Sequence, residues 1–498
     1  MKTLRFILIL CLAFLSSCED AIDIQQVGRI TPEVAFQSLE DLSDGLSGVY
    51  IAYDAVQDIA FSAVFTDEVS IGVESGGQGL VDYTFQLDAT SNAADSFWSR
   101  GYFEINRVNR LIAGAEFVTP ETDEQEEYDN ILGQAYALRA FSHFKLLTYY
   151  STDLTDDNAL GVIAVDFVPG IDQKLLRNTN GEVFALIESD LNTAENLLST
   201  QSSSIFVSKD FITALRARMA AYRQQYTAAA SYANQLLATY PLADQGQYFN
   251  MYLDTDVSEI IFKLERTVGD AYDRQGTSGL VSSTGWAGGR FAFTNATIDG
   301  GPYFEMGRSL FNLLDTGDIR FNVNISPSSI ISPDYQNATD FVNEDVLVIN
   351  KYQGSDNQPL MNDLKIFRSS EMVLILAEAS ANDGNINGAS NSTAAYIKQL
   401  RDARFGSDQT LPVYANQTEA FAAILNERRI EFAFEGHRYL DLKRLGERAG
   451  QGISKDPLDC EFNGACTLPV TDHRFTLPIP LRELNANPGL RAQQNPGY

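Results

Sequence analysis

Glu427, Glu431 and Glu435 recur at four-residue intervals. That spacing puts three carboxylates on one face of a helix, as a paired general acid and base would require. The same spacing is that of ion pairs, and with Arg428 placed to reach Glu431 and Arg438 close by, it predicts a structural face. The three histidines, His143, His437 and His473, stand far apart, and none belongs to a His-Glu-x-x-His zinc pattern. Gly276-Thr277-Ser278-Gly279 lacks the Gly-x-Ser-x-Gly spacing of a serine hydrolase, and no phosphate-binding Gly-x-x-x-x-Gly-Lys run occurs. Asp383-Gly384-Asn385-Ile386-Asn387-Gly388 offers oxygens at the first, third and fifth positions of an EF-hand-like loop. Its twelfth position is Ala394, which removes the bidentate glutamate, so the run reads as a helix-connecting turn. These residues predict no enzyme, no metal and no cofactor.

Binding needs less than catalysis. Sugar rings present apolar C–H faces that stack on aromatics, and their hydroxyls are met by polar side chains at the rim. Residues 266–303 are rich in glycine and aromatics and carry one of only two tryptophans. Long irregular segments of this kind are usually functional or disordered. Trp286, Tyr272, Arg290 and Phe291 are therefore the leading ligand-binding candidates. Asp67 and Tyr83 follow, from a second irregular stretch at residues 62–92, and a third lies at 326–363.

Helices must position these loops. Ile131, Ala135, Leu138, Phe141, Phe144 and Leu147 recur at helical spacing within residues 128–150 and predict one buried face. Thr179-Asn180-Gly181-Glu182 forms a capping box before the stripe Val183, Ile187, Leu191, Ala194 and Leu198. A helical hairpin follows: Ile212, Leu215, Met219 and Tyr222 line one arm, and Ala229, Ala233 and Leu236 the other. Tyr226, Ala229 and Pro241 fall where a tetratricopeptide repeat places its aromatic, small residue and proline. Residues 370–381 and 393–404 predict a further pair.

The N-terminus sets the compartment. Lys2 and Arg5 precede an apolar run from Phe6 to Leu15 that closes on Leu15-Ser16-Ser17-Cys18. This predicts a lipoprotein signal peptide over residues 1–17 and acylation of Cys18. The run is too short to cross a bilayer, which takes about 20 helical residues. With 66 acidic against 36 basic residues the net charge is −30, which disfavours nucleic acid and weighs against a highly anionic ligand. Beyond the signal only Cys460 and Cys466 remain, and export to an oxidising compartment predicts a local disulfide between them.

In the C-terminal third, the run from Asn426 through Glu427-Arg428-Arg429-Ile430-Glu431-Phe432-Ala433-Phe434-Glu435-Gly436-His437-Arg438-Tyr439 to Gly446 resembles the signature of the SusD/RagB family. Phe97-Trp98, Leu138-Arg139-Ala140, Asp190-Leu191, residues 368–379 and Leu477-Pro478-Ile479-Pro480 resemble further family segments in the same order, while Lys398 and Ala403-Arg404-Phe405 depart from its usual pattern. The resemblance implies a mainly α fold, with tetratricopeptide-like pairs forming a scaffold against a loop-rich remainder with few short strands. It implies one domain over residues 18–498, with a helical-repeat part at 18–265 and a loop-rich binding part at 266–498. It also implies a structural role for the glutamate-rich stretch. The expected function is capture of a glycan for a SusC-like TonB-dependent transporter, from a lipid anchor on the outer membrane that faces the cell exterior. Glu19 and Asp20, just after Cys18, resemble the acidic export tag of such lipoproteins. Peptide capture on the same fold and a surface glycoside hydrolase are the alternatives.

Overall fold

The computed structural model describes residues 32–72, 75–77, 79–267, 286–294 and 297–498. The signal peptide, Cys18 and Tyr272 lie outside the described residues. The principal helices are α1 (Leu39–Tyr50), α2 (Val56–Phe65), α3 (Asn92–Ala115), α4 (Gln125–Tyr150), α5 (Asn180–Leu197), α6 (Lys209–Tyr222), α7 (Tyr226–Leu237), α8 (Ser369–Asn382), α9 (Thr393–Phe405), α10 (Gln417–Glu431), α11 (Arg438–Ala449) and the short α12 (Leu481–Ala486).

Helix α4 is the centre of the scaffold, packed between α3 and α5. It is buried nearly all round from Ile131 to Tyr150, more than the single buried face its periodicity predicts. Arg139, His143 and Lys145, which interrupt its apolar run, turn inward because each finds a partner. Arg139 forms a bidentate pair with Asp190 of α5 at 2.8 and 2.7 Å. Lys145 meets Asp58 of α2 at 2.7 Å. The His143 Nε2 accepts from the Val165 N–H at 3.2 Å, which leaves the ring proton on Nδ1 to donate to the Arg139 carbonyl at 3.0 Å. Burial lowers the His143 pKa to about 4, so the ring is neutral.

Helix α5 starts where its capping box requires. Thr179 accepts from the Glu182 N–H at 3.3 Å, and Glu182 accepts from the Thr179 N–H at 2.9 Å. In the α6–α7 hairpin, Gln224 turns the chain with φ +57°, and the wholly buried Ala229 and Ala233 let α7 pack closely between α6 and α8. Because α8 and α9 continue this stack, followed by α10 and α11, the scaffold runs through residue 266. Sheet structure among the described residues is confined to two-stranded antiparallel pairs. β1 (Val69–Ile71) pairs with β3 (Phe304–Met306), and β2 (Ile260–Leu264) with β4 (Leu364–Arg368), each tying distant parts of the chain to the helices.

Two expectations change. The irregular stretch assigned to residues 62–92 begins inside α2 and contains a helical turn at Leu80–Tyr83. Helix α2 is apolar on nearly every side, so it carries no amphipathic period to read. The three glutamates do not share one face either: α10 ends at Glu431, Phe434 adopts φ +62° and Gly436 φ +85°, and Glu435 lies beyond the helix.

Their counter-charges are also different residues. Glu431 meets Arg368 and Arg404, both at 2.8 Å, and Arg320 at 3.3 Å. Glu427 meets Arg320 at 2.7 Å and Arg401 at 2.8 Å, and Glu435 meets Lys351 at 2.8 Å. Glu259 joins Arg368 and Arg404 at 2.8 and 2.9 Å. Arg428 instead turns to Asp441 at 2.8 Å, and Arg438 to Asp67 at 2.9 Å. Burial opposes the Glu431 charge, but Arg404 and Arg368 outweigh it and hold its pKa well below the usual carboxylate range. This network clamps β2, β4, α9 and α10 together. Its carboxylates are buried and engaged, which removes them from any ligand.

Candidate functional site

A cleft of about 950 Å³ opens on the outer face of α3. Its floor is the N-terminal half of that helix, where Trp98, Tyr102, Phe103 and Asn106 recur at helical spacing. Its sides are the 163–175 loop, the start of α12, the Asp54–Gln57 corner and Arg290.

Each wall is fixed by specific bonds. The Tyr102 hydroxyl accepts from the Ile163 N–H at 2.7 Å and lies 3.2 Å from the Ile163 carbonyl. Asn109 donates to the Val165 and Phe167 carbonyls at 3.1 and 2.8 Å. At the far end of the loop, buried Arg177 donates to the carbonyls of Gly161, Leu160 and Tyr150, and Asn487 donates to that of Leu175. With both ends pinned, the segment between is presented on the rim, where Ile171 is 99% exposed. Across the cleft, Arg482 ties α12 to α3 through Asp95 at 3.2 Å. Trp98 is 3% exposed, with its ring centre 4.8 Å from Tyr102 and 4.9 Å from Tyr150, so it backs the wall as a core residue. Phe103 is half-buried beside it.

Chemically, such a cleft binds. It combines aromatic and aliphatic surface with amide, carboxylate and guanidinium groups on a rigid frame, as recognition of a polyhydroxylated ligand requires. A smaller cavity of about 80 Å³ lies deeper, between α4 and the Glu435–His437 turn, and shares Asp54 with the cleft.

Of the candidates chosen from sequence, Arg290 lines this cleft. Trp286 is 6% exposed and packs on Leu360 and Met361. Phe291 is buried, parallel to Tyr352 at 6.4 Å and edge-on to Phe434 at 5.4 Å. Asp67 is buried and gripped by Arg438 through two bonds of 2.9 and 3.0 Å. Burial opposes its ionisation, but Arg429 and Arg438 prevail and hold its pKa at about 2. The buried Tyr83 donates to the Asp459 carbonyl at 2.7 Å, with Lys455 above its ring and Phe462 stacked on it. These four side chains are engaged by protein. Arg100, Phe103 and the 163–175 loop are the cleft residues that sequence reasoning passed over. A signal existed: residues 151–178 form a long irregular connection containing Pro169-Gly170, as informative by length as the glycine-rich tract chosen instead.

Cys460 and Cys466 are joined in a disulfide with Cα atoms 5.2 Å apart. In the 383–388 turn, Asn387 exchanges two hydrogen bonds of 2.8 Å with the Tyr414 backbone, which accounts for its side chain structurally. Among the described residues, no group of three acidic, histidine or cysteine side chains is placed to hold a metal.

Comparison with known proteins agrees along the length of the chain. The model of the SusD family matches residues 316–498, and a second, described as starch-binding and associating with the outer membrane, matches residues 33–224. SusD-like protein P2 of Formosa agariphila is 25% identical over the whole of both chains. A SusD superfamily structure from Bacteroides thetaiotaomicron superposes with a TM-score of 0.74 at 23% identity, covering 92% of this chain and 100% of that one. A surface glycan-binding protein from Bacteroides fluxus gives 0.66 at 20% identity, covering 92% and 99%. With family models matched at both ends of the chain and a relative matched end to end, the chain is a SusD-like protein.

Proposed function

We propose that this chain is a non-catalytic surface lipoprotein, anchored through Cys18, that captures an oligosaccharide or polysaccharide and delivers it to a SusC-like TonB-dependent transporter in the outer membrane. The α3 cleft carries this reading: its volume suits several sugar rings, its apolar surface includes aromatic side chains, and its polar groups come from rigidly held segments. Relatives described as sugar-binding and glycan-binding support the ligand class. The burial of Glu427 and Glu431 against arginines, and of Glu435 against Lys351 and Arg368, supports binding over hydrolysis, because a general acid must reach the glycosidic oxygen.

The test is a glycan library presented to the full chain in detergent, with calorimetry and an assay for new reducing ends on every binder. Binding without cleavage is expected, and Phe103→Ala is expected to weaken it. A chain that binds no glycan of any class, or that releases reducing ends, overturns the reading. The transporter is tested separately, by recovery of a large TonB-dependent barrel with the chain from gently solubilised membranes.

A further inference from the structure

Arg139, Arg218, Arg320, Arg368, Arg404, Arg428, Arg438 and Arg444, all well buried, each meet at least one carboxylate within 3.3 Å. Buried Arg177 meets no carboxylate, but its donors are taken by the carbonyls of Gly161, Leu160, Tyr150 and Gln493 and by the Asn495 side chain. The cleft holds its cations differently. Among the described residues, Arg100, Arg290 and Lys174, all lining it, form no ion pair. Arg100 gives one N–H to the Ala52 carbonyl at 3.1 Å, which orients its guanidinium without neutralising it.

The cleft's own carboxylates are already engaged: Asp54 with Arg266 at 3.0 Å and Asp95 with Arg482 at 3.2 Å, leaving Glu483. Glu104, one turn beyond Arg100 on α3, is buried, and burial raises its pKa to about 7, so it is a weak counter-charge at neutral pH. Burial opposes the Arg290 charge; Asp54, already held by Arg266, favours it, and Arg100 is near enough to oppose it. Two guanidiniums that line one cleft, neither in an ion pair among the described residues and one oriented by a backbone carbonyl, are arranged to receive an anion.

Resting on the capture reading above, we propose that the ligand carries an anionic substituent, a carboxylate or a sulfate ester on a sugar ring, and that Arg100 and Arg290 hold it while the aromatic floor takes the ring. A guanidinium offers a planar fork of donors that matches both groups. The net charge of −30 repels a polyanion at long range, but that field is screened within about 10 Å at moderate salt, whereas contact inside a cleft is not.

The experiment compares neutral oligosaccharides (maltoheptaose, xylohexaose), uronates (oligogalacturonate, oligoalginate) and sulfated oligosaccharides (carrageenan fragments) on the full chain by calorimetry. Arg100→Gln, Arg290→Gln and Arg100→Lys follow on whichever binds best. Expected are preference for a uronate or a sulfated member, affinity falling as salt rises, a loss of roughly tenfold to a hundredfold with either glutamine variant, and partial retention with Arg100→Lys. The two charged sets tell carboxylate from sulfate. Equal melting temperatures across the variants exclude misfolding, and a glutamine variant that melts lower is replaced by its lysine counterpart in low and high salt. A neutral preferred ligand, unaffected by either glutamine variant, overturns this inference and leaves glycan capture standing. Absence of binding in all three sets overturns both.

Discussion

The same residue types serve opposite ends in two regions of this protein. Around Glu431, three arginines and four glutamates are packed out of water, and nearly every charge meets an opposite one at 2.7–2.9 Å. In the α3 cleft, Arg100 and Arg290 form no ion pair among the described residues, beside a surface of aromatic and aliphatic side chains. The first arrangement suits structure, because an ion removed from water must be matched within the fold. The second suits recognition, because donors left unsatisfied by protein remain available to a ligand. Charge alone therefore does not distinguish scaffold from site; what differs is whether the protein itself occupies the donors, as it does for Arg368, Arg404 and the carbonyl-bound Arg177.

The largest effect is expected in the network. Glu431→Ala removes the carboxylate shared by Arg320, Arg368 and Arg404, and breaking such a buried set costs about 3–5 kcal/mol. Thermal denaturation is expected to show a large fall in melting temperature or no folded protein. A variant as stable as wild type refutes the structural role of the cluster.

Next comes Trp286→Ala, which empties the contact with Leu360 and Met361. A loss of about 3 kcal/mol is expected from the cavity and the lost burial, with glycan affinity of the folded variant within about twofold of wild type. A fall in affinity at unchanged stability would return Trp286 to the binding surface and blur the boundary between the regions.

Phe103→Ala is expected to act in the reverse sense. Affinity falls about tenfold, as for loss of one stacking contact, while the melting temperature stays within a degree or two, since the ring is half-buried at the cleft. Calorimetry and denaturation on one preparation decide this, and an unchanged affinity would move the sugar platform elsewhere.

The smallest effect concerns the buried acid beneath the cleft. Burial raises the Glu104 pKa from 4.5 to about 7, with Lys145, Arg100 and the Ser142 hydroxyl opposing the shift. A carboxyl whose folded pKa is raised contributes stability that is fully present below pH 4.5 and is lost as pH rises towards 7. Glu104→Gln is therefore expected to leave the melting temperature nearly unchanged at pH 4.5 and to raise it by on the order of 2 °C at pH 8. Equal shifts at both values would show that the side chain does not titrate as its burial requires.

Much was legible from the chain alone, because much of it is local. The stripe Ile131, Ala135, Leu138 and Leu147 recurs within one helix, the Thr179–Glu182 box closes over three residues, and the α6–α7 hairpin turns within a few. The family signature and the pairing of Cys460 with Cys466 lie within short runs as well. Interactions over such distances are written in spacing and composition. Tertiary structure alone decided which carboxylate meets which guanidinium. Glu431 passes over Arg428, three residues away, for Arg368 and Arg404, because α10 turns Arg428 towards Asp441. It also decided that Trp286 and Phe291, in a glycine-rich tract, are buried, since composition marks a loop but not what packs against it. The cleft unites Asp54, Arg100, Ile171, Arg290 and Arg482, from five separate segments. No window of sequence contains it, because its walls meet only after the helices between them have packed.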